Sequence, residues 1–402
     1  LPGGLEVRGA RFYKDGALFF LAGMNYWAAS TLARGGEGPG WERVQRDLDA
    51  LQGLGINVIR TMGATEGPDT EPLRVVPSIQ PREGYYEPAA IAGVLRLADE
   101  LRRRGLYAIL VLNNFWPWSG GMAQYLAWAG EGVIPYPPPV AGGRWESYEE
   151  FTGRFYASRR ARAAYERTIR FLVPLLRGNP SILWELANEP RGMARPAGYR
   201  LWIDETARLI KSLAPGQLVT TGSEGATASP SHAGLDVVLD HESPAIDFAT
   251  CHLWAQNWGW LRAESITEDF PGALDRARRY VSEQVARAGV LGKPIVLEEF
   301  GFPRDDASFD PCAPTTWRDR YFEEIYAHVG SLASGTPLAG ILPWAWSGDV
   351  RPPRPGDYWI KADPLTGDPP HERQGWYGIY GDDSTLAVVR EGSAGIVALG
   401  KP

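Results

Sequence analysis

A single (β/α)8 barrel, the α/β architecture also called the TIM barrel, is the fold class this sequence predicts, and three observations predict it. Eight short apolar runs rich in β-formers recur along the chain, separated by long amphipathic stretches, as in successive βα units. The chain has 402 residues, a length that such a barrel fills as one domain. Conspicuous polar and aromatic residues gather where predicted strands end and long segments follow, at 113–155 and 347–383. In this fold the loops after the strands carry the active site.

Residues 1–20 read as a lead-in, with 5–20 suited to a small hairpin. Runs of strand length and composition follow at Leu21–Asn25, Val58–Met62, 108–112, 182–186, 218–221, 248–252, 295–299 and 340–346. Between them, apolar residues at helical spacing predict helices at 41–54, 87–104, 161–177, 199–213, 273–288 and 317–329. The connection 222–246 is rich in Gly, Ser and Ala and has little helical pattern, which makes it the weakest βα unit. No repeat or low-complexity linker interrupts this order, so residues 1–402 are expected to form one catalytic domain with extended loops at the C-terminal face, 347–383 being the long loop after the eighth strand.

Hydrophobic residues are 44% and charged residues 22%, as in folded domains, and the net charge is −7 from 41 basic and 48 acidic side chains. That balance argues against nucleic acid or an anionic membrane surface as partner. The longest apolar runs, 17–24 and 338–346, are far short of a membrane span. Two cysteines exclude a disulfide scaffold, and a bridge between Cys251 and Cys312 is disfavoured because Cys251 falls within a predicted strand. No leader is visible and the chain starts without Met, so a secreted, extracellular protein with its leader removed is the expectation, as a monomer.

The chain has 16 Trp, 17 Tyr and 13 Phe. Many tryptophans cluster in the motif-rich segments: Trp116, Trp118, Trp128, Trp254, Trp258, Trp260, Trp344 and Trp346. An indole face stacks well on the C–H face of a sugar ring, so the cluster points to a carbohydrate groove, whereas isolated Trp41 and Trp202 read as core.

Two carboxylates stand at strand ends. Glu189 lies in Trp184-Glu185-Leu186-Ala187-Asn188-Glu189-Pro190-Arg191, where Pro190 ends the ladder. Leu297-Glu298-Glu299-Phe300-Gly301 ends the seventh strand, and side-chain alternation allows only one of its two glutamates to face the site. The fourth and seventh strands lie on nearly opposite sides of an eight-stranded barrel, so rim carboxylates from them face each other. Glycoside hydrolysis needs such a pair, one protonated and one ionised, with their pKa values pushed apart.

Asn188-Glu189-Pro190 with Glu299-Phe300-Gly301 resembles the retaining glycoside hydrolases of family 5. The likeness extends to the β-mannanase branch through Asn113-Asn114-Phe115-Trp116, Gly120-Gly121, Gln124-Tyr125-Leu126-Ala127-Trp128, Cys251-His252-Leu253-Trp254, Asn257-Trp258-Gly259-Trp260, Pro343-Trp344-Ala345-Trp346, and Gly367 to Tyr377. The resemblance implies Glu189 as acid/base, Glu299 as nucleophile and β-1,4-linked mannan as substrate, cleaved internally with retention. It further implies that Asn188 bonds the sugar 2-hydroxyl, that Arg60 holds Glu299 ionised, and that His252 joins the network between the carboxylates. Trp344 would floor the cleavage subsite, Arg191 would reach the leaving-group sugar, and Trp116, Asn114, Trp254, Trp258 and Trp346 would contact substrate.

Taken by themselves, Arg60 also reads as an interior ion-pair partner, His252 as a satisfied rim histidine, Arg191 as a solvated side chain, and Trp346 equally as core or groove. The family usually has a Tyr two residues after the sixth-strand His, bonded to the nucleophile, where this chain has Trp254. No cofactor and no metal are expected: His232, His241, His252, His328 and His371 show no metal-ligand spacing, and Lys293 precedes its strand at the wrong end for Schiff-base chemistry. The competing readings are an exo-acting mannosidase or mannobiohydrolase, a β-1,4-glucanase, and a non-catalytic carbohydrate-binding barrel.

Overall fold

The computed structural model describes residues 3–226 and 233–401; His232 and part of the 222–246 connection lie outside the described residues. The lead-in is a three-stranded antiparallel meander rather than a hairpin: β1 (Leu5–Arg8), β2 (Arg11–Lys14) and β3 (Ala17–Phe19). Phe12 points from it into the floor of the barrel, meeting Phe248 edge-to-face at 5.3 Å among Leu21, Val58, Ile109 and Val296. The meander thereby caps the end opposite the site.

The barrel strands are β4 (Leu21–Asn25), β5 (Val58–Met62), β6 (Tyr107–Val111), β7 (Ile182–Glu185), β8 (Val219–Thr220), β9 (Ala249–Leu253), β10 (Ile295–Phe300) and β11 (Leu338–Ile341). They pair in parallel in the order β8-β7-β6-β5-β4-β11-β10-β9, and every residue in them is buried, as expected of strands covered on both faces. The β8–β9 seam has no ladder; Asp247 N–H to Val219 O (2.8 Å) and Thr220 Oγ1 to Phe248 O (2.8 Å) bridge it. The seam lies beside the segment that lacked helical pattern.

Helices Gly38–Gly53, Pro88–Arg104, Arg159–Leu176, Pro196–Leu213, Ile266–Ala288 and Thr316–Ala333 surround the sheet where amphipathic stretches predicted them. Pro88–Arg104 shows why: Glu87 accepts from Ala90 N–H (2.8 Å), Pro88 takes the first helical position, and Gly105 closes the helix at φ +71°. Among the described residues no helix is long and apolar enough to cross a membrane. Cys251 is buried and Cys312 exposed, both as free thiols.

One expected strand changes, and two stretches for which no element was predicted form helices. The eighth strand stops at Ile341, because Pro343 has no N–H for the ladder; after it the Trp344–Ala345 peptide is cis. The chain then forms β12 (Trp346–Gly348), which pairs with β13 (Ile379–Tyr380) outside the barrel. The 113–155 insertion contains helices Gly121–Trp128 and Trp145–Thr152. A final helix, Thr385–Ala398, packs Gly392 against the Tyr326 ring where a side chain would not fit.

Candidate active site

Past β7, the chain stays tied to both neighbours: Leu186 N–H donates to Thr220 O (3.0 Å), Asn188 N–H to Asn113 O (2.9 Å) and Glu189 N–H to Gly222 O (3.1 Å). Glu189 sits at φ +46°, a left-handed conformation that costs a non-glycine residue about 1–2 kcal/mol. Gly222, at φ +77°, makes the approach feasible, since a Cβ there would lie 2.0 Å from Ala187 O and 2.2 Å from Glu185 Oε1.

Across the mouth, the pairing of β10 with β9 slips between Leu297 and Glu299, so that two residues oppose one. This bulge breaks the expected alternation. Glu299 lines the cavity while Glu298 is buried, and both carboxylates reach His252. His252 Nδ1 lies 2.7 Å from Glu189 Oε1 and 3.3 Å from Glu299 Oε2, and Nε2 lies 3.4 Å from Glu298 Oε2.

Arg60, from β5, underlies the pair. It bonds Glu299 through Nη1, holds Glu185 in a fork (2.6 and 2.7 Å), and donates to Asn188 Oδ1 (2.8 Å) and Asn25 Oδ1 (3.0 Å). The expected Arg60–Glu299 contact is therefore present, with its charge shared with Glu185. Asn188 Nδ2 in turn donates to Asn114 Oδ1 (3.1 Å), and Asn114 Oδ1 also accepts the Trp116 backbone N–H (3.0 Å).

Burial opposes every charge here. It would raise Glu189, but the hydrogen bond and charge of His252, then Arg191 and the Trp116 N–H, hold this carboxyl down at about 2. Burial lifts Glu299 to about 7 against His252 and Arg60, and lifts Glu185 to about 8 against Arg60. It would lower His252, yet Glu299 and the bonds to Glu189 and Glu298 push the imidazole well above its ordinary range. Glu189, His252 and Glu299 also form a group of possible metal ligands, with one ligand atom from each within 4.8 Å of the others. A cation there would have to displace the proton His252 holds and face Arg60.

A cavity of about 550 Å³ opens above these groups. Of the expected residues, Glu189, Glu299, Asn188, Trp116, Trp254, Trp258, Trp344 and Arg191 line it. Arg60 and His252 support it from below, both buried. Asn114 does not line it: it is fully buried and positions Asn188. Trp346 does not line it either, being core at the base of β12. Arg191 is not solvated; Glu224 (2.7 and 3.0 Å) and Glu149 (3.1 Å) bind its guanidinium, which lies 4.7 Å over the Trp116 ring.

Several lining residues were not singled out from the sequence: Glu224, Glu149, Trp145, His371 and Glu372. Glu224 had a usable signal, three residues past a predicted strand end; His371 and Glu372 fall inside the matching stretch Gly367 to Tyr377, and Trp145 and Glu149 lie on the helix Trp145–Thr152. These segments meet on one side of the cavity. Trp27 Nε1 donates to Gly367 O (2.9 Å), Trp118 packs edge-on to Trp27 (5.2 Å), and His371 lies against Trp118 (6.4 Å) and Trp145 (6.1 Å).

A family model described as GH family 5 beta-mannosidase-like matches residues 4–401. Among curated proteins, mannan endo-1,4-beta-mannosidase 4 of Oryza sativa subsp. japonica is 28% identical, over 99% of this chain and 82% of that protein. Mannan endo-1,4-beta-mannosidase 5 of Solanum lycopersicum is 28% identical over 85% and 80%. Among solved structures, a glycoside hydrolase family 5 mannosidase from Rhizomucor miehei superposes with TM-score 0.89 at 29% identity, covering 100% of this chain and 99% of that one. A mutant of that mannosidase, also at TM-score 0.89, was solved in complex with mannosyl-fructose.

Proposed function

The chain belongs to the glycoside hydrolase family 5 β-mannosidase-like proteins, and from that premise we propose that it hydrolyses β-1,4-mannosidic bonds by double displacement with retention. The observation that carries the mechanism is the pairing of Glu189 with Glu299 about one imidazole, with carboxylate oxygens within 4.8 Å. Carboxyl groups about 5–5.5 Å apart leave room for direct attack on the anomeric carbon but none for the water an inverting enzyme places between them.

Glu299 attacks the anomeric carbon as Glu189 protonates the departing oxygen. Water then loses a proton to Glu189 and frees the mannosyl group from Glu299. The surroundings favour the proton on His252 and an ionised Glu189. The productive state, with neutral imidazole, protonated Glu189 and ionised Glu299, holds the same number of protons. The two states differ by one proton moved across the 2.7 Å contact between His252 Nδ1 and Glu189 Oε1.

Similarity to the rice and tomato endo-mannosidases supports internal cleavage, the mode expected from the sequence. The other mode, cleavage near a chain end, is favoured by the convergence of segments on the cavity lining, where His371 packs against Trp118 and Trp145, with Trp27 behind Trp118. We give the chain-end mode precedence on that observation. The product profile on mannan and on manno-oligosaccharides of defined length tests both. Early release of mannose or mannobiose alone is expected. A ladder of intermediate lengths establishes the endo mode, and preference for cello-oligosaccharides defeats the mannan assignment.

A further inference from the structure

We propose that Trp254 is a positioning residue for the acid/base, not for the nucleophile: its indole N–H and that of Trp116 hold the Glu189 carboxylate from two sides. The inference rests on the double-displacement reading above. Trp254 Nε1 donates to Glu189 Oε1 (3.3 Å), and Trp116 Nε1 donates to Glu189 Oε2 (2.6 Å). The contacts of Glu299 are with Arg60 and His252. A tyrosine here, as in the family this chain resembles, offers a hydroxyl that donates and accepts, whereas an indole has one N–H and only donates. Trp254 thus moves a hydrogen bond from one catalytic carboxyl to the other.

Both rings are held in place. The Trp254 ring lies over Gly301, where a Cβ would come within 2.7 Å of Cζ3, and it packs edge-on to Trp344 (6.1 Å) and against Tyr377 (5.0 Å). Gly301 is therefore the residue that admits an indole in this position. Trp116 is gripped by Arg191 over its face and by the edges of Phe115 (5.3 Å) and Trp145 (5.7 Å). Neutral donors fixed in this way favour the carboxylate anion, which strengthens Glu189 as an acid and fixes the direction of both oxygens.

The test is the pH profile of kcat/KM on manno-oligosaccharides, whose leaving groups need protonation, for wild type, Trp254→Phe and Trp254→Tyr. Loss of one neutral donor in Trp254→Phe is expected to move the basic limb, set by Glu189 with His252, to higher pH by roughly half to one unit, leaving the acidic limb in place. In Trp254→Tyr the basic limb moves likewise and the acidic limb moves lower, as the phenol returns a donor to Glu299. A shift of the acidic limb alone in Trp254→Phe, or a fall in kcat with neither limb moved, overturns the proposal.

Trp116→Phe, which removes the shorter bond, must give a basic-limb shift of the same sign, and supplies the answer if Trp254→Phe does not fold. The Glu189 titration is also readable without turnover, by carbon NMR of a carboxyl signal assigned through its loss in Glu189→Gln. A wild type that cleaves no β-mannoside thus defeats the functional reading, while this titration still decides what Trp254 does.

Discussion

Glu299→Ala is expected to lower kcat for every β-mannoside by at least about 10⁴-fold, because it removes the carboxylate that faces Glu189 across the mouth and forms the covalent bond to the anomeric carbon. Glu189→Ala is expected to behave differently. It loses roughly 10²–10⁴-fold on manno-oligosaccharides but far less on aryl mannosides whose leaving groups need no proton. Added azide should accelerate Glu189→Ala on such substrates and give the β-mannosyl azide, since a small anion can attack the glycosyl-enzyme where water has lost its base. Glu299→Ala should not lower the melting temperature, because burial lifts that carboxyl to about 7 and Glu185, Glu189 and Glu298 crowd it around Arg60 and His252, so its charge is a cost to the fold. A fall in both activity and melting temperature would mark Glu299 as structural.

Arg60→Ala is expected to be the most destabilising of the site substitutions, by about 3–5 kcal/mol, since it leaves buried carboxylates without their fixed cation. The loss should depend on pH in a defined direction. Burial already raises Glu185 to about 8 and Glu299 to about 7, above their unfolded values, and without Arg60 both rise further. A carboxyl with a raised native pKa binds more protons when folded, so stability grows as pH falls through that pKa. Denaturant unfolding should therefore show a smaller gap between wild type and Arg60→Ala at pH 5 than at pH 8. Arg60→Lys should recover part of the stability but little activity, because a point charge cannot fork to Glu185 while bonding Glu299 and Asn188. An equal gap at both pH values would mean the loss comes from packing.

The barrel was legible because parallel strands buried on both faces leave continuous apolar runs; Leu21–Asn25 and Val58–Met62 are found where they were predicted. Glu189 and Glu299 were legible for a different reason, since strand ends, Pro190 and the matching motifs all pointed to the same two positions. Their protonation was not. It depends on Arg60 dividing its charge with Glu185 and on the bulge that brings Glu298 to His252, and a bulge leaves no trace in a two-residue period. Asn114 and Trp346 carried the right residue types for substrate contact and proved buried. Apolar and amide side chains serve as well behind a site as in it, and only the fold decides which. His371 and Glu372 fall within the matching stretch Gly367 to Tyr377, but their place at the cavity was not legible, because the loop has no period to read and His371 gains its position by packing against Trp118 and Trp145.

The central claim is that Glu299 forms a covalent bond to mannose across from Glu189. A 2-deoxy-2-fluoro-β-mannosyl fluoride tests it most directly: its 2-fluorine slows both steps, and its reactive leaving group lets the first proceed and the intermediate accumulate. Mass spectrometry of the inactivated protein should show one fluoromannosyl unit, located in the peptide carrying Glu299 and absent from Glu299→Ala. An adduct on any other carboxylate, or turnover without an adduct that gives the α-anomer first, would contradict the account.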